Sequence, residues 1–371
     1  MAFWRSATAL SPADLVNTLN VVLPLASSVL SFAFAAMVFD QWWQRRKAFQ
    51  LVWAAGLLFY GVSAGCEFIG EGFGWSEPLY RTWYLIGAFF VAAYLGAGTI
   101  YLLSKTRFGY FAGATILIGG LLSLLFSHAV VKGGNAPLYP GSATAGTVAF
   151  AIAAIGGIAI IAATAIRPRL AAHIAMGVLV VGSIAVAYMV FTAPLAAPGW
   201  AVDPATHVPV GTAFPGYVRV LTGPFNIAGA LCLVFGAIYS AYVYMPKRKV
   251  LRAKVKTPVI AQLYGGAAVA VNLVASTPTA ASALVNGKVN SRVPATILIA
   301  LGAFIPGLTS GLNRFGVTWS FFLGEFLGVL LIFAGFLISE EVFRNIRIGA
   351  TLWSRRPSDR TLAAERVAPG S

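Results

Sequence analysis

Apolar residues in this chain run in long unbroken stretches and do not alternate with polar ones. A hydrocarbon core of about 30 Å needs roughly 20 apolar residues to cross it as an α-helix. Stretches of that length predict spans at 16–40, 49–70, 80–103, 108–131, 145–166, 171–194 and 219–245. Three more apolar stretches follow, at 258–281, 294–312 and 317–340. A membrane β-barrel would instead show alternating segments of about 10 residues, and the sequence has none. The predicted fold class is therefore all-α, a polytopic transmembrane helix bundle.

The polar start "SPADLVNTLN" reads as a helix beginning, with Ser11 as N-cap, Pro12 in the first turn and Asp14 at the third position. It lacks the charged n-region and cleavage site of a signal peptide, so the first helix is expected to be a permanent span.

Basic residues set the expected orientation. Arg45, Arg46 and Lys47 follow the first span, Lys105 and Arg107 the third, and Arg167 and Arg169 the fifth. After the seventh come Lys247, Arg248, Lys249, Arg252, Lys254 and Lys256. The opposite loops hold isolated Arg81, Lys132 and Arg219, together with Glu77 and Asp203. Positive charge stays cytoplasmic, which predicts an external N-terminus. The tail carries Arg344, Arg347, Arg355, Arg356, Arg360 and Arg366, so it should be cytoplasmic too.

An even number of crossings must then lie between 256 and 344, although three apolar stretches compete there. The expected solution is nine full spans plus one interrupted or re-entrant segment within 258–312. A break is expected near Thr277–Thr279 or Pro306–Gly307, where proline lacks a donor and glycine permits unusual angles. The alternative is a plain tenth span. The resulting organisation is an external segment at 1–15, a seven-span bundle at 16–245 and a basic loop at 246–257. The interrupted segment and final spans occupy 258–341, and a basic tail occupies 342–371.

Composition supports a lipid-facing surface. Of 371 residues, 58% are hydrophobic and 10% charged, against about 25% charged in soluble domains; mean hydropathy is +0.81. The net charge of +15 fits loop clusters meeting anionic headgroups rather than nucleic acid. The expected partner is the lipid bilayer, of a plasma (inner) membrane, with other membrane subunits as a further option. Trp42, Trp43, Trp75, Trp83 and Trp319, near span ends, fit interfacial belts.

Several chemistries lack their ligands. Only His128, His173 and His207 are present, near span ends or in a loop, so a haem held by paired intramembrane histidines is not expected. No lysine lies well inside a span to carry retinal. Cys66 and Cys232 are too few for zinc and read as small buried hydrophobes. No recognisable hydrolase or metal motif occurs, and the sequence specifies no cofactor.

What remains is a set of polar residues inside apolar stretches. "FIGEGFG" (68–74) holds Glu71, with Glu67 one turn earlier, and "FLGEFLG" (322–328) holds Glu325. A charged side chain at the bilayer centre costs about 2.5–3.5 kcal/mol on insertion scales. Each glutamate should therefore face the bundle interior and meet a dipole, a cation or a proton. Asn226, after Pro224, and Asn272, in the suspected broken segment, are the other candidates. Arg81 and Arg219 are possible partners for Glu67 or Glu71, and Gly96 and Gly98 are expected to permit close helix contact. These features point to a transport or permeation protein for a small solute or ion. The alternative is a structural or quinone- and electron-handling subunit of a larger membrane complex.

Overall fold

The computed structural model describes residues 12–131, 134–196, 211–251, 258–286, 290–314 and 320–339. Ten long helices follow one another: α1 (Pro12–Arg45), α2 (Ala48–Phe73), α3 (Glu77–Leu102), α4 (Phe108–His128) and α5 (Ala143–Ile166). They continue with α6 (Pro168–Thr192), α7 (Gly216–Tyr244), α8 (Pro258–Val285), α9 (Arg292–Arg314) and α10 (Ser320–Ile338). The described residues contain no strand, only an isolated bridge between Val130 and Pro137 that orders the α4–α5 loop. The expected helical bundle is present, with element boundaries close to those read from hydropathy.

Packing contacts establish the direction of each helix. Leu23 of α1 packs on Phe321 and Phe322, while Phe34 meets Phe333 and Phe336 at ring distances of 5.2 and 4.8 Å, so α1 and α10 run parallel. Gly335 packs against Ala295 and Gly324 against Thr309, so α9 and α10 run antiparallel. Arg292, at the start of α9, bonds the Tyr244 hydroxyl at the end of α7, 2.6 Å away. One face of the bundle therefore carries Arg45–Lys47, Lys105, Arg107, Arg167, Arg169, Lys247–Lys249 and Arg292. This is the basic face; α1, α3, α7 and α10 start from the opposite one.

Among the described residues nine helices are long and apolar enough to cross a membrane, and α8 is not one of them. α7 ends and α9 begins on the basic face, and Asn272 and Ser276 in the middle of α8 bond the backbone that follows α7 there, so this part of α8 lies at that face. The parity inferred from charge holds, but by a different device from the one expected. The predicted break is absent: α8 continues through Thr277–Thr279 and α9 through Pro306–Gly307. Pro278 is exposed, so its ring crowds no neighbouring helix. The Pro306 ring lies where a side chain at Gly328 would stand, 2.4 Å from that missing Cβ. A proline removes one helical hydrogen bond, and the surrounding turns hold the rest. The tail at 342–371, Trp319 and residues 197–210 lie outside the described residues.

Two π turns interrupt the regular helices, Ile86–Phe90 in α3 and Gly223–Ile227 in α7. The second follows from Pro224, which has no N–H for the Val220 carbonyl four residues back. Ser123 of α4 donates its hydroxyl to that carbonyl at 2.6 Å. The turns face each other through Phe89 and Phe225, whose rings meet edge-on at 5.4 Å. Nearby, α3 and α7 cross with almost no side chain between them, because a Cβ on Gly96 would come within 2.4 Å of the Gly229 carbonyl oxygen.

The basic face is expected to be cytoplasmic. Single cysteines placed at Ser76 and Lys105, both exposed, in a chain lacking Cys66 and Cys232 would test this. In intact cells a membrane-impermeant maleimide should label position 76 at once and position 105 only after lysis. The reverse pattern would invert the orientation.

Candidate functional site

Glu67 and Glu325 are built into helices of opposite direction, each close to the end that lies away from the basic face. Glu67 is six residues before the end of α2 and Glu325 five residues into α10. At a rise of 1.5 Å per residue each lies about 8–9 Å below its helix end. The fold brings them together, with the two carboxyl groups close enough to interact electrostatically. An ionised carboxylate only accepts hydrogen bonds, so a bond between the two requires a proton on one of them.

The surroundings hold this pair in place. Glu67 is 1% exposed, and its Oε1 accepts the indole N–H of Trp83 at 2.7 Å. Trp83 is itself buried and points inward, which corrects its placement in an interfacial belt. Glu325 is half-buried, and its backbone carbonyl accepts the Tyr60 hydroxyl at 2.7 Å, tying α2 to α10. Glu67 Oε2 has no aligned hydrogen-bond partner among the described residues.

The α1 helix supplies a third wall. Leu23 and Phe34 mark the face of α1 that meets α10, and Ser27 and Ser31 fall on that same face by helical spacing. Both serines are fully buried, and neither hydroxyl has a partner among the described residues. Neighbouring Ser28, by contrast, donates to the Gly61 carbonyl at 2.8 Å. Leaving a buried polar atom unmatched costs about 1–3 kcal/mol. Three such oxygens, on Ser27, Ser31 and Glu67, occur where α1, α2 and α10 pack together. The sequence reading did not single out Ser27, Ser31 or Tyr60. The available signal was the recurrence of small polar residues on the α1 stripe that contains Leu23 and Phe34.

Above the pair, an aromatic layer separates it from the face. Trp75 folds back across Gly70, its ring 5.7 Å from that of Trp83. Phe214 stacks between Tyr80 and Tyr84 at 5.4 and 4.3 Å. Glu71 lies one turn nearer the surface than Glu67, where its Oε1 accepts the Trp75 indole N–H at 3.2 Å. Arg81 does not neutralise these acids. It pairs with Glu77 at 2.7 Å and donates to the Val190 carbonyl. The Arg219 guanidinium stands over the Tyr139 ring, 4.7 Å from its centre.

The two asparagine candidates lie elsewhere. Asn226 is half-buried in the second π turn and makes no hydrogen bond to either carboxyl group. Asn272 is a clamp on the basic loop. Its Oδ1 accepts the backbone N–H groups of Val250 and Leu251 at 2.8 and 2.9 Å, and its Nδ2 donates to the Leu251 carbonyl. Ser276 adds a bond from the Arg248 N–H at 2.9 Å. No family model, known protein or solved structure matches this chain. Among the described residues no group of three or more His, Cys, Asp or Glu could hold a metal ion. The chemistry open to the site is the binding and release of a proton or a small cation by paired carboxyl groups.

Proposed function

We propose that this protein is a membrane transport or permeation protein in which Glu67 and Glu325 together form a proton-binding site. The observation that carries this reading is the meeting of two intramembrane carboxyl groups with no basic residue bonded to either among the described residues. Ionisable groups are costly inside a bilayer and mark pathways for ions and protons. A pair that exists only to hold helices together would be better served by two apolar side chains, which leave no buried oxygen unmatched. The position about 8–9 Å below the outer helix ends, beneath the Trp75–Trp83 layer, makes the site one that loads from the outer side. The paired π turns on α3 and α7 fit this reading, since such turns recur at functional sites.

The reading is tested in proteoliposomes of the purified protein carrying an internal pH dye. With potassium and valinomycin setting the potential, the protein is expected to pass protons at a rate that empty vesicles lack. Vesicles that stay proton-tight under gradients of either sign would overturn it. If the native protein instead purifies with a fixed set of membrane partners and passes no ion, the subunit reading takes its place.

A further inference from the structure

We propose that α7, α8 and α9 form a lateral binding site for an anionic phospholipid, with one acyl chain in the groove between them and the phosphate at the basic face. The groove has a volume of about 840 Å³, within the range of about 300–1,000 Å³ typical of ligand pockets. Its walls are apolar throughout, with Leu231 and Phe235 from α7, Leu273 from α8, and Ile297, Leu301 and Phe304 from α9 among them. The one hydroxyl in the wall, on Thr277, is already donated to the Leu273 carbonyl at 3.0 Å. Nothing in the groove is left to hydrogen-bond a polar solute, so the part of the ligand it holds is hydrocarbon.

The two ends of the groove differ. Along α9 it runs from Val293 to Leu308, a length of about 22 Å at 1.5 Å per residue. That exceeds the roughly 15 Å of hydrocarbon in one leaflet, half of a core of about 30 Å. The Val293 end opens at the basic face beside Met245. There Lys247, Arg248 and Lys249 are exposed, and Arg292 is held against the Tyr244 ring and hydroxyl. The chain contains no Asp or Glu between Asp203 and Glu325, so α7, α8, α9 and their loops bring no acid to Lys247, Arg248 and Lys249. Asn272 and Ser276 of α8 pin the backbone at Arg248, Val250 and Leu251, which keeps the cations at the mouth. An apolar trough longer than one leaflet, ending in a cluster of positive charge, matches a lipid with a negative headgroup. It does not match a zwitterionic lipid, whose phosphate carries its own counter-charge.

The test uses the full-length protein in detergent, with native mass spectrometry and thermal unfolding in the presence of phosphatidylglycerol or phosphatidylcholine. Phosphatidylglycerol is expected to be retained and to raise the unfolding temperature, and phosphatidylcholine is not. At about 1 kcal/mol per surface cation, the K247Q/R248Q/K249Q variant should bind phosphatidylglycerol on the order of 100-fold more weakly. Gly307→Phe provides a second arm, because a Cβ at Gly307 meets open space in the groove wall. That variant should fold normally and lose the retained lipid. Equal retention of the two lipids would overturn the proposal, as would a Gly307→Phe protein that keeps its lipid or a groove that retains a quinone in place of phospholipid.

Discussion

Replacing either Glu67 or Glu325 by glutamine is expected to abolish proton flux while leaving a folded protein. Glutamine keeps the size of the side chain, and its carbonyl oxygen still accepts the Trp83 indole N–H that Glu67 accepts at 2.7 Å. The Tyr60 bond to Glu325 uses the backbone carbonyl and survives any side-chain change there. What glutamine cannot do is take up and release a proton. Because the two carboxyl groups act as one unit, the double variant should be no more impaired than either single one, as is general for groups that function together. Flux in proteoliposomes and thermal unfolding, measured on the same preparations, separate the two effects. Glu67→Ala is different: it leaves the Trp83 N–H without its acceptor, a loss of about 1–3 kcal/mol, and opens a cavity as well. If Glu67→Gln and Glu325→Gln both conduct at the native rate, the pair is structural and the transport reading fails.

The second large effect concerns the crossing of α3 and α7. A Cβ on Gly96 would stand 2.4 Å from the Gly229 carbonyl oxygen and 2.8 Å from its Cα, and a Cβ on Gly229 would stand 2.4 Å from the Ala92 oxygen. These neighbours are backbone atoms, so no change of rotamer relieves the clash. Even Gly96→Ala should cost at least the roughly 1–3 kcal/mol typical of overpacked cores. Gly229→Leu should prevent the helices from closing and yield no monodisperse protein. Gly177→Ala on α6 is the control, because a Cβ there meets nothing within 4 Å. Alanine is favoured over glycine by roughly 0.8–1.0 kcal/mol in a helix interior, so that variant should be neutral or more stable. Fluorescence-detected size exclusion with a thermal ramp reads all three. A Gly229→Leu protein of native stability would show that the helices do not meet here.

The span positions, the membrane class and the parity of the crossings were legible in the sequence alone. Hydropathy is local and additive, so ten apolar stretches could be placed to within a few residues of their helices, and loop charge ordered them across the bilayer. Glycines at 96 and 98 could be read as a close contact for the same reason, since a missing side chain is a local fact. The identity of the partner helix was not local. These helices are apolar almost all round, so periodicity does not say which face turns inward or which neighbour it meets. The meeting of Glu67 with Glu325, from opposite ends of the chain, depended on the parallel course of α1 and α10 and on Tyr60 reaching across from α2. The same holds for Pro306, which a sequence reading takes as a break and which the gap at Gly328 lets continue. Trp83 turned inward because a buried carboxylate needed its N–H, and Asn272 became a clamp because the basic loop folded back over α8. In a lipid-soluble chain the apolar residues determine that helices form and where they end, while the few polar groups take their roles from whichever helix packs beside them.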